Sequence, residues 1–199
     1  METFKLTVGS KDIVADYIRD NHLAKHEAEI LKEVADAIER SDMDKLEWCN
    51  QFGNSLRHIM MNLHAYRKQQ EFGFDEIAFD QYGWLKRPEF LDKEDIVFGN
   101  PHHYAEHSTL YLGRGLNQIW TYAMDYSFGL AGGGYHLSVY GKQFNSRDRA
   151  FLAGLNDLKS LMTDKLNHND RSNYKQPVIN ATLYDIGKAQ AATFQLSLF

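Results

Sequence analysis

Eight of the fourteen glycines of this 199-residue chain fall between Gly99 and Gly141, and no other feature restricts the fold so strongly. Glycine costs a helix or strand interior backbone entropy. A stretch that concentrates it while keeping QIWTYAMDYS and YHLSVY intact therefore reads as strands and turns. The spacing predicts an antiparallel hairpin of residues 118–127 and 135–140, joined by FGLAGGG.

The flanks carry a different period. Residues 22–39 place Leu23, Ile30, Leu31, Val34, Ala35 and Ile38 along one helical stripe, and residues 43–70 continue in the same way with a weak point at Gly53. Residues 147–166, capped by Ser146, present Phe151, Leu152, Leu155, Leu158 and Met162. Short alternating runs at 3–8, 96–98 and 193–199 predict minor strands, and the aromatic run from residue 71 predicts one or two more. Residues 178–192 predict a helix interrupted at Gly187. The expected fold class is α+β, an N-terminal helical hairpin packed on a small antiparallel sheet with further helices. The length suits one domain, residues 1–70 forming a helical arm and 71–199 a mixed body.

Charge is distributed unevenly. Up to Glu106 there are 13 Lys and Arg against 21 Asp and Glu, a balance of −8; beyond it there are 9 against 6, a balance of +3, and no further glutamate. A net charge of −5 argues against general nucleic-acid binding, which needs a concentrated positive surface. The asymmetry suits a charged protein partner or self-association. A single cysteine, Cys49, excludes an intrachain disulfide framework, and no run of eighteen apolar residues predicts a membrane span. The expected compartment is the cytoplasm.

Two groups of residues suggest chemistry. Asn100-Pro101 reads as a helix start, which places HHYAEHSTLYL on a helix with His103 and His107 on one face and Glu106 beside them. The spacing H-x-x-E-H is that of the inverted zincin signature, two histidine ligands and a glutamate general base. Its usual downstream glutamate is missing, so His136, or an aspartate such as Asp125 or Asp148, would have to complete the metal site, and membership of that family is not implied. The second group is Gly132, Gly133 and Gly134 with Arg114, Arg147 and Arg149, a basic cradle for a small ligand or nucleotide. It lacks the G-x-x-x-x-G-K-[ST] spacing of a phosphate loop.

Three functions follow from these readings. The first expectation is a non-enzymatic intracellular binding or inhibitory protein acting through protein–protein contacts, of a kind carried by mobile elements. The second is a metal-dependent hydrolase built on His103, Glu106 and His107. The third is a small-ligand module at the glycines. The sequence names no cofactor.

Overall fold

Leu6 has no strand to pair with, yet both of its backbone groups are satisfied. Its N–H donates to Asn50 Oδ1 at 2.8 Å, and its carbonyl accepts from Asn50 Nδ2 at 2.9 Å. A side-chain amide replaces a strand partner here, and the alternating run predicted as a strand is instead an extended lead into a 3-10 turn, Val8–Ser10. The computed structural model describes residues 4–196; Thr3, the first residue of that run, lies outside them. The chain divides into two compact units, one ending at Pro88 and the other beginning at Glu89. Among the described residues there are six α-helices and one four-stranded antiparallel sheet, an α+β chain with its helical part first.

The first unit holds α1 (Lys11–Asp20), α2 (Lys25–Glu39), α3 (Met43–Asn50) and α4 (Leu56–Gln70). The helix predicted over 43–70 is split where the sequence is weakest. Gly53 takes φ 153°, and a Cβ there would sit 2.5 Å from the Cβ of His58. Ser55 then caps the new helix, its Oγ accepting from His58 N at 3.2 Å. The core is made by Ile30, Leu31, Val34 and Ile38 of α2, Leu46 and Cys49 of α3, and Leu56, Ile59, Met60 and Leu63 of α4. Residues 71–88 carry one isolated bridge, Phe79 to Leu85, in place of the predicted strands. Asp80 folds them into a turn by accepting from Tyr82 N and Trp84 N.

The second unit is a meander, β1 (Leu91–Gly99), β2 (His107–Arg114), β3 (Trp120–Ser127) and β4 (Gly132–Tyr135), followed by α5 (Arg147–Asp164) and α6 (Gln176–Leu196). One sheet face carries Phe98, Leu110, Leu112, Tyr122 and Met124 into a core shared with Ala150, Leu155, Leu158 and Met162 of α5 and Ile179 and Ile186 of α6. Burying that apolar set is the main force holding helices to sheet. No helix among the described residues is long and apolar enough to cross a membrane.

Three further segments fold differently from their sequence pattern. The segment predicted as a helix after Pro101 is a turn, a 3-10 segment Tyr104–Glu106, and then β2. Asn100 Oδ1 accepts from His102 N at 3.2 Å, so the capping residue and proline close a turn with the same chemistry that would start a helix. The strand partner of β3 is the glycine run itself, paired Asp125 to Gly134, Tyr126 to Gly133 and Ser127 to Gly132, and YHLSVY is not a named strand. Residues 193–196, predicted as a terminal strand, continue α6; residues 197–199 lie outside the described ones.

Candidate functional site

The alternation of β2 sends Leu110 and Leu112 into the core and His107, Thr109 and Tyr111 to the opposite sheet face. Register then adds neighbours from both sides. Thr109 pairs with Asp125 of β3 and with Val97 of β1, Tyr111 pairs with Asp95, and Asp125 pairs with Gly134. Cross-strand partners share a face. The result is a polar concavity of about 700 Å³, lined among others by Tyr104, His107, Tyr111, Asp125, Gly132–Gly134 and His136.

The glycines have a physical reason to be there. A Cβ on residue 134 would lie 1.9 Å from Asp125 Oδ1, one on residue 133 would lie 2.8 Å from the Tyr126 hydroxyl, and one on residue 132 would lie 2.4 Å from the Tyr126 carbonyl oxygen. The side chains of β3 therefore lie flat across β4. All four residues of β4 are exposed, and β4 is an edge of the sheet.

Asp125 is held in place. Its Oδ2 accepts from the Tyr111 hydroxyl at 2.8 Å. Burial raises the ionisation of Tyr111 to about 12, reinforced by the hydrogen bond and negative charge of Asp125, with a smaller push from Asp95. The imidazole of His107 donates from Nδ1 to the His103 carbonyl at 3.1 Å, and the Tyr104 ring stands edge-on to it at 6.2 Å between centroids.

His107 and His136 thus reach one concavity, together with Gly132, Gly133 and Gly134. His103 and Glu106 belong elsewhere. His103 precedes the 3-10 segment, with Nδ1 3.9 Å from Glu106 Oε1. Glu106 Oε2 accepts from Asn100 Nδ2 at 3.0 Å and lines a separate hollow of about 460 Å³ with Arg171 and Lys175. Because the chain passes from a turn into a strand between them, no helical face carries His103 and His107 together. Among the described residues no group of three or more His, Cys, Asp or Glu side chains is placed to hold a metal ion.

The arginine cradle is also not assembled. Arg114 Nε donates to Asp92 Oδ2 at 2.6 Å, and Arg147 grips Glu94 with two hydrogen bonds of 2.7 and 2.6 Å. Arg149 lies in the first turn of α5, its backbone N–H donating to Ser146 Oγ. None of the three lines the glycine concavity. What the sequence reading overlooked is Tyr111 with Asp95; the period-two alternation of HSTLYLGR, taken as a strand, places Tyr111 on the face of His107.

Comparison with family models, with curated proteins and with solved structures finds no match.

Proposed function

We propose that this chain is a non-enzymatic binding protein that recognises an extended segment of a protein partner by strand addition to β4. The carrying observation is that β4 is an exposed edge strand without large side chains over three of its four positions, bordering a polar concavity. An edge strand presents unpaired backbone donors and acceptors, which an added strand satisfies. Glycine removes the steric bulk that would hold a partner backbone away. Native edges are usually blunted by lysine, proline or bulges. β4 carries neither lysine nor proline.

An inhibitory role fits the same geometry, since a captured segment is withheld from other contacts. The cytoplasm suits the proposal. Cys49 is buried, and burial raises its thiol, so it is a poor nucleophile and a core residue.

Selection of displayed peptides on the full chain, followed by amide hydrogen exchange of the resulting complex, tests this reading. The expected result is slowed exchange at residues 132–135. Selected peptides that protect only other segments, or a selection that yields no binder, would overturn it.

A further inference from the structure

The concavity beside β4 carries one carboxylate, Asp125, together with the imidazoles of His107 and His136. No lysine or arginine lines it, and Asp95 stands on the same sheet face opposite Tyr111. Both aspartates are exposed, so their charge is available to a guest. Tyr104 and Tyr111 line the same hollow. A carboxylate among aromatic faces attracts cations twice over, by charge and by the ring quadrupoles.

We infer that this hollow takes the cationic side chain, lysine or arginine, of the extended partner segment that pairs with β4. The inference rests on the strand-addition reading and specifies the partner's chemistry. A residue added in register with Gly134 would stand two strand spacings, about 10 Å, from the backbone of Asp125. Its side chain would lie on the same face as Asp125, and residue 134 interposes no side chain between them. A long basic side chain spans that gap with the aspartate reaching toward it. The Tyr111 hydroxyl occupies Oδ2, and the carboxylate keeps further acceptor capacity for a guest ammonium or guanidinium.

The test uses the full chain labelled with nitrogen-15 and titrated with n-butylguanidinium, with neutral n-butylurea as the matched control. The expected result is a set of amide shifts confined to Tyr111, Asp125 and residues 132–134 for the cation and not for the urea. Asp125→Asn keeps the acceptor for Tyr111 and the shape against Gly134, and should weaken the cation about tenfold. Tyr104→Ala changes a side chain that is 92% exposed, so it leaves folding intact, and should weaken binding about threefold. Equal shifts from the urea, or unchanged affinity in both variants, would overturn the cation site.

Peptides separate the two claims. Binders that protect β4 yet tolerate replacement of every Lys and Arg by norleucine refute the cation site and leave strand addition standing. If no peptide protects β4, strand addition fails, and guanidinium shifts at Asp125 would still support the cation site.

Discussion

Asp125 and Gly134 face each other across β3 and β4, and the carboxylate of one occupies the space where the other would carry a side chain, 1.9 Å from an ideal Cβ. Glycine at this position is a packing requirement. Its φ lies outside the left-handed range, so the constraint is space and not backbone conformation.

Gly134→Ala should therefore destabilise the second unit by about 1–3 kcal/mol, the usual cost of forcing atoms into filled space. The Met124 carbonyl, 2.9 Å from the same Cβ, cannot swing aside as the aspartate can. In an Asp125→Ala background the penalty should shrink without vanishing, which a double-mutant cycle by chemical denaturation measures. Gly187→Ala is the opposite case. It lies within α6 with nothing inside 4 Å of its Cβ, and should stabilise by about 0.5–1 kcal/mol.

Asn62 is the polar keystone of the first unit, 2% exposed in α4. Its Nδ2 donates to the carbonyls of Phe52 and Gly83, both at 2.8 Å, and its Oδ1 accepts from Leu85 N at 2.9 Å. Asn62→Leu keeps the branched outline with the same number of heavy atoms but leaves two carbonyls and one N–H without their partner. A loss of about 3 kcal/mol or more is expected from denaturant melts. Asn62→Asp should be no better, because a carboxylate faces two carbonyl oxygens with no proton to offer.

These residues mark where sequence reading stops. The stripes of α2, α4 and α5 were legible because apolar burial repeats with the helical period, and Gly53 announced the break it makes. Asn62 was not legible, since its partners are backbone atoms ten to twenty-three residues away with no side-chain signature. The turn at Asn100-Pro101 carries the sequence pattern of a helix start because capping and turn formation use the same side-chain hydrogen bond. The candidate site was half legible. His107 and His136 of one expected group and the glycines of the other line a single concavity, an arrangement made by sheet register, which leaves out His103, Glu106 and the arginines.

His64 of α4 stacks on His26 of α2, with ring centroids 4.0 Å apart. Burial lowers the His64 ionisation, and His26, Lys68 and Arg67 lower it further, while Glu71 pulls the other way. The unfolded chain takes up this proton near the ordinary value of 6.5, whereas the folded chain resists it until a lower pH. Acid therefore favours unfolding. Stability of the first unit should be greatest above about pH 7 and fall through pH 6, flattening once folded His64 is also protonated. Urea melts across that range check the slope, and His64→Gln should reduce it.

Tyr111 and Tyr122 offer a matched pair of titrations. Both are raised to about 12, and in both burial is the first cause and a carboxylate the second, Asp125 for Tyr111 and Asp157 for Tyr122. A phenol that donates to an anion resists losing its proton, because ionisation would set two negative charges against each other. Asp125→Asn should bring Tyr111 down from about 12 without returning it to 10, since the burial contribution remains. Tyr122 serves as the internal control. Its partner Asp157 also accepts from Lys142 at 2.8 Å and is untouched by the change. Carbon-13 shifts of the tyrosine ring Cζ, followed against pH, resolve the two residues. A fall in Tyr111 with Tyr122 constant would establish that the Asp125 carboxylate is charged and engaged at the site, the condition a cationic guest requires.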